Sequence, residues 1–150
     1  RRQRQMCIRD RESAGYGMTI AEFPTTLEAA KGCQALNMKV LMGAPNVVRG
    51  GSHSGNVAAA GLAAEGLLDI LSSDYYPASL LQAAFVLADQ QDGGDLSRAV
   101  KMISLAPAQA AGLNDRGEIA IGLRADLVQA RRCEGLPVVQ QVWRQAKRVF

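Results

Sequence analysis

Three apolar runs alternate with three longer stretches in which small and apolar residues return at helical spacing. "MTIAE" (18–22), "KVLMG" (39–43) and "LLDILSS" (67–73) are apolar nearly throughout and do not alternate. That is the texture of parallel strands covered on both faces. Each run precedes a helical stretch. "TLEAAKGCQAL" comes after Pro24 and is opened by Thr25 and Glu28 as a T-x-x-E capping box. Asn37 suits the left-handed residue that ends it. "VAAAGLAAEG" has Asn56 as a cap and Gly66 as a stop, and "PASLLQAAFVLAD" begins with Pro77 at the tolerated first-turn position. Strand and helix alternating three times, with short connections, predict an α/β fold of right-handed βα units on a parallel sheet. Three such units cannot close a barrel, and a sheet of three strands has two unprotected edges. The chain reads as part of a larger architecture.

The pattern changes after residue 95. "DLSRAVKMISLAPAQAAGL" predicts a helix capped at Asp95 or Ser97, a break before Pro107 and a short helix ended by Gly112. "GEIAIGLRADLVQARR", "PVVQQVWR" and "KRVF" then read as short β segments joined by turns, with period-two alternation over Val138–Trp143. The expected division is a barrel-type α/β portion over 12–111 and a small β segment over 112–150. Residues 1–11 form a leader set apart from fold reasoning, since "MCIRDR" resembles translated sequencing-adapter sequence.

Composition narrows the function classes. With 150 residues, 48% of them hydrophobic, the length suits one domain, and no apolar run approaches the about 18 residues of a membrane span. The net charge of +3 hints at an anionic partner. However, the leader carries five arginines against Asp10, a net of +4, which leaves −1 for residues 12–150. A general nucleic-acid footprint is therefore not supported. Cys7, Cys33 and Cys133 are odd in number and far apart, so neither a disulfide framework nor a cysteine zinc site is expected, and a reducing, cytoplasmic setting is the default.

Polar residues gather where the predicted strands end: Glu22, then Asn46 to Asn56, then Ser72, Ser73 and Asp74. In parallel α/β folds, catalytic groups lie on the loops at that end. Asp74 would emerge at the mouth, where a carboxylate ligates a divalent cation or accepts a proton from water. The structural alternative is an N-cap for the helix after Pro77. Asp69, inside the same run, is expected to face a helix or partner layer. In "RGGSHSGN" (49–56), Arg49 and the backbone amides of the glycine-flanked loop suit a phosphate cradle, with His53 as donor or leaving-group acid. The alternative for His53 is a solvated surface residue. Arg131, Arg132, Arg144, Lys147 and Arg148 read as a solvated face.

"GAPNVVRGGSHSGN", "LLDILSSDYYPASLL", "IAEFPTTLEAA", "GEIAIGLRADLV" and "VWRQAKRVF" together resemble the amidohydrolase superfamily. Within it they are similar to the triphosphate diphosphatases of the carbon–phosphorus lyase (phosphonate utilisation) pathway. The resemblance runs from about Glu12 to Phe150 and covers only the C-terminal part of that family's chain. It implies a distorted (β/α)8 TIM-like barrel, here its sixth to eighth strands, and a small β domain built from both chain ends. It also implies a divalent metal, zinc foremost, as one or two ions. Of the superfamily's ligands only the aspartate after the eighth strand has a match, Asp74, which would be metal ligand and general base. Asn46, Arg49, Gly50, Gly51, Ser52, His53 and Ser54 would bind the substrate, a small phosphorylated ribose phosphonate hydrolysed between its α- and β-phosphates. The partners implied are that small molecule and a second copy of the chain, without nucleic acid or membrane.

With no H-x-H and a single histidine, the 150-residue piece is expected to be inactive by itself. Ala146 stands in the terminal turn where glycine is expected. Two other readings stay open: an amidohydrolase acting on a C–N bond, dihydroorotase- or deaminase-like, and a non-catalytic anion-binding α/β module using residues 46–56.

Overall fold

The computed structural model describes residues 11–51, 55–90 and 95–150. The leader through residue 10, and with it Cys7, lies outside the described residues, as do Ser52, His53 and Ser54. A helical turn at 11–15 leads into β1 (Ile20–Glu22), then α1 (Leu27–Ala35) and β2 (Lys39–Gly43). The chain continues through α2 (Ala44–Val48), α3 (Ala59–Ala64), β3 (Ile70–Ser72) and α4 (Ser79–Gln90). The expected parallel sheet forms in the order β1-β2-β3, with β2 in the centre.

The register shows which face is covered. Ala21 pairs with Val40 and Met42 with Leu71, so these four share a face. All four belong to the buried core, packed with Ala30 and Cys33 of α1, Leu62 and Ala63 of α3, and Ala83, Ala84 and Leu87 of α4. Many of the helical partners are alanines, which let helix and sheet approach closely. On the other face Glu22 pairs with Leu41 and Leu41 with Ile70. There Ile70 is buried, Leu41 only half-buried and Glu22 exposed. The expectation of strands covered on both faces therefore holds for one face only. The apolar residue at Leu41 is in the sequence, but the described residues leave it only partly covered.

Asp69 marks the start of β3. Its Oδ2 accepts the Val40 amide at 2.9 Å, its Oδ1 accepts the Lys39 ammonium at 3.0 Å, and its own amide donates to the Val40 carbonyl at 3.1 Å. The carboxylate thus extends the ladder below the first regular pair and fixes the register of β3 against β2. At the sheet's far edge, the Leu71 amide donates to the Met102 carbonyl at 3.0 Å, so the edge of β3 is partly covered rather than bare.

Several local expectations shift. The N-cap of α1 is Thr26, not Thr25: its hydroxyl accepts from the Ala29 amide at 3.1 Å. Residues 44–48, expected as loop, form α2 because Pro45 sits in the first turn, where its missing N–H costs nothing. Helix α3 begins after Ala58, not at Asn56, and is capped from a distance: the Ala59 amide donates to Asn46 Oδ1 at 2.9 Å. Asn37 is left-handed as expected, with φ of 57°.

Asp95 caps α5 (Leu96–Lys101) by accepting the Arg98 amide at 2.8 Å, and α6 (Leu105–Ala110) takes Pro107 in its first turn. Residues 117–126, expected to be β, are turns. An antiparallel sheet then runs through β4 (Leu127–Cys133), β5 (Leu136–Arg144) and β6 (Lys147–Arg148), with a bulge between Gln129 and Ala130. Period-two burial holds along the first half of β5 and fails from Val142. Arg132 is exposed, as expected of the solvated face, but it is also engaged. Its guanidinium lies 5.0 Å from the centre of the Phe85 ring and donates to Asp89 at 2.9 Å, pinning this sheet to α4. Asp126 braces the last turn, accepting the Gln145 amide at 2.8 Å, with Arg124 Nε 2.6 Å away. The Gln145 amide first, and the Arg124 guanidinium after it, hold the Asp126 carboxyl below the ordinary range.

Both hairpins turn through two left-handed residues, Glu134–Gly135 and Gln145–Ala146, as the twist of antiparallel strands requires. Ala146 sits at φ of 63°, where a Cβ is strained and glycine is not. Ala146→Gly should therefore stabilise the protein by about 0.5–1 kcal/mol, measured by denaturant unfolding. A neutral or destabilising result would show that the turn carries no such strain.

Candidate functional site at the strand ends

The C-terminal ends of the three parallel strands open onto one pocket of about 270 Å³. Its floor is Phe23, Gly43 and Asp74, each at or within two residues of the end of a strand. Its wall is α2 and the turn that closes it, through Asn46, Arg49 and Gly51, with Tyr75 beside Asp74. A hydrogen bond from the Val57 amide to the Thr25 carbonyl, 3.0 Å, ties the loop after β1 to the segment before α3 on the pocket's other side.

Two of the floor residues have backbone that L side chains rarely adopt. Phe23 has φ of 54° and Asp74 φ of 51°. Aspartate tolerates the left-handed region; for a bulky aromatic it is a genuine strain, and such strain concentrates at functional sites. Gly43 makes room for their side chains. A Cβ on that residue would lie 3.0 Å from Asp74 Oδ2 and 3.3 Å from the Phe23 ring. The missing side chain at the end of the central strand is the space into which its two neighbours fold.

Asp74 does not cap the helix after it. That helix starts at Ser79, whose hydroxyl donates to the Tyr76 carbonyl at 2.6 Å. Among the described residues no hydrogen bond or ion pair engages the Asp74 carboxylate, and the residue is exposed at the pocket floor. The structural alternative for Asp74 is thereby removed.

The phosphate cradle expected around Arg49 is only partly present. The Gly50 amide donates to the Val47 carbonyl at 3.1 Å and the Gly51 amide to the Asn46 carbonyl at 3.0 Å, both closing α2. These two amides are committed to the fold and do not face a ligand. Gly50 is also absent from the pocket lining, whereas Gly51 belongs to it. Asn46 does reach the pocket, but its Oδ1 holds the start of α3, so any pocket role belongs to its Nδ2. Arg49 keeps its expected place on the wall, and its guanidinium lies 5.4 Å from the centre of the Tyr75 ring. Glu22 is on the half-covered sheet face and not in the pocket lining. Sequence reasoning missed Phe23, Gly43 and Tyr75. The signals were a phenylalanine before Pro24, a glycine ending an apolar run, and an aromatic next to the mouth carboxylate.

The family match decides the class of protein. The amidohydrolase family model matches residues 13–147. The chain belongs to the amidohydrolase family. This amidohydrolase is 61% identical over 140 residues, 93% of its length, to the alpha-D-ribose 1-methylphosphonate 5-triphosphate diphosphatase of Escherichia coli (strain K12). It spans 37% of that relative's length. Its fold is similar to the crystal structure of an amidohydrolase from Thermotoga maritima MSB8, with a TM-score of 0.52 at 17% identity, covering 87% of this chain and 43% of that one.

Amidohydrolases are generally metal-dependent, and the pocket can be tested against that need. A zinc site requires three or four ligands. Among the described residues no group of three or more His, Cys, Asp or Glu is placed to hold an ion. Asp74 offers a single carboxylate, so the described residues do not make a metal site by themselves.

The packing at Gly43 is open to direct test. Gly43→Ala should destabilise the protein by about 1–3 kcal/mol through overpacking. Because the Phe23 ring is one of the obstructing groups, the penalty should shrink in a Phe23→Ala background. Equal penalties in both backgrounds would exclude the contact.

Proposed function

We propose that this chain is the C-terminal part of the barrel of a diphosphatase that converts alpha-D-ribose 1-methylphosphonate 5-triphosphate and water to the 5-phosphate and pyrophosphate. The observation that carries the reading is the 61% identity to the E. coli diphosphatase over nearly the whole chain. A carboxylate and a guanidinium sharing one pocket at the strand ends suit that chemistry.

The proposed chemistry uses these two groups in different ways. Hydrolysis adds a water oxygen to phosphorus and breaks the anhydride bond between the α- and β-phosphates. Asp74 accepts the proton that the attacking water gives up. Arg49 stabilises the negative charge gathering on the phosphate oxygens and on departing pyrophosphate. We assign His53, Ser52 and Ser54 a substrate-binding role, as the notable polar residues of the loop sequence, and Asn46 Nδ2 to the pocket rim. Gly51 borders the pocket through its backbone, and Gly50 serves the turn that aims Arg49.

The cofactor in this reading is a divalent ion, zinc foremost, to which Asp74 furnishes one ligand while the rest come from outside the described residues. The half-covered inner face at Glu22 and Leu41, and the exposed Ile119 and Ile121 ahead of β4, are then surfaces on which the other barrel strands and the other part of the β domain pack. No helix among the described residues is long and apolar enough to cross a membrane, and we place the enzyme in the cytoplasm.

Given the ribose triphosphate, the full-length protein carrying this chain should release one pyrophosphate per substrate and leave dihydroorotate intact. Arg49→Ala should lower kcat/KM by about tenfold or more, the scale of a lost charge-assisted contact. Faster turnover of dihydroorotate, or an Arg49→Ala enzyme with unchanged kcat/KM, would refute the assignment.

A further inference from the structure

We infer that Tyr75 is a positioning residue that holds the Arg49 guanidinium at the pocket wall for a polyphosphate chain. This rests on the reading of Arg49 as a phosphate-binding group. Arg49 is the C-terminal cap of α2, and Tyr75 lies two residues before Pro77 at the approach to α4. The two meet because α2 packs against α4, which sets the end of one beside the approach to the other. The left-handed backbone at Asp74 completes the arrangement. It reverses the chain immediately after β3, so that the carboxylate stays on the floor while the next side chain goes to the wall.

The chemistry of the contact matters as much as its place. An aromatic ring attracts a cation through its quadrupole and brings neither a formal negative charge nor a carboxylate oxygen. The Arg49 guanidinium lies 5.4 Å from the ring centre, held at the pocket by a contact that adds no charge of its own. It also loses less side-chain freedom on binding, since a long arginine ordered in advance does not have to be ordered by the ligand. Tyr75 is 62% exposed, so it is not needed for the core. Its large exposed ring is explained by the cation it faces.

Inorganic tripolyphosphate is the probe, because its binding to the full-length enzyme can be read without turnover. Tyr75→Leu should weaken tripolyphosphate binding about two- to fivefold, the scale of an exposed cation–π contact. KM for the ribose triphosphate should rise in proportion and kcat should change less. Tyr75→Phe, which retains the ring face, should stay within about twofold of wild type. In an Arg49→Ala background Tyr75→Leu should have no further effect, and its melting temperature should match that of its parent. Equal weakening with and without Arg49 would overturn the inference, as would failure of Tyr75→Phe to restore binding. Absence of tripolyphosphate binding by the wild type would overturn it too. A wild type that binds tripolyphosphate with this pattern yet does not hydrolyse the ribose triphosphate would sink the proposed reaction and leave the Tyr75–Arg49 pairing standing.

Discussion

The site depends on one steric vacancy, the missing side chain of Gly43 at the end of the central strand. A Cβ there would stand 3.0 Å from the Asp74 carboxylate and 3.3 Å from the Phe23 ring, so both would have to shift from their places over the end of β2. The two neighbouring strands run into residues with positive φ, one of them an aromatic, and such backbone persists only where its surroundings hold it. Phe23 is held by its own amide, which donates to the Leu41 carbonyl at 2.9 Å; a second tie lies at the opposite end of the sheet. Asp69 ties the start of β3 to β2 through the Val40 amide and the Lys39 ammonium. That fixes the register of β3 against β2, and with it the height at which the end of β3 meets Gly43.

The same sheet explains why the site is divided between floor and wall. The alanine-rich helices cover the face of Val40 and Met42, and their small side chains allow α2 to lie close against α4. That packing sets Arg49 beside Tyr75 and gives the pocket its cationic wall. The floor carboxylate and the wall cation reach the pocket by separate routes, one through strand register and one through helix packing. A substitution can therefore disturb one without moving the other. The floor offers one carboxylate and no set of ligands for a metal ion among the described residues.

Much of this was legible in the sequence where a single residue type does a local job. The apolar runs marked the strands, Asn37 and Gly66 marked helix ends, and the odd Ala146 marked a strained turn. Polar residues after each run marked the mouth, and Asp74 stood out among them. What stayed hidden depends on partners distant in the chain. Asn46 caps a helix that starts thirteen residues later, and nothing local distinguishes that use from a ligand contact. Proline in the first turn made a helix of residues 44–48 that composition alone rendered as loop, and that helix consumed the amides of Gly50 and Gly51. Arg49 and Tyr75 are separated by a helix and a strand, so no spacing rule connects them. The partners of the exposed Arg132 were equally hidden, because neither Phe85 nor Asp89 is near it in the chain.

The central claim is that the Asp74 carboxylate acts on the reacting water while binding of the phosphates is carried by the wall. Comparing Asp74→Asn with wild type in the full-length enzyme, by turnover of the ribose triphosphate and by affinity for tripolyphosphate, separates those roles. The predicted result is a fall in kcat of about two to four orders of magnitude, the scale of a lost proton acceptor, while tripolyphosphate binds as well as before or more tightly. Retained turnover would contradict the claim, and so would a loss of affinity as large as the loss of rate.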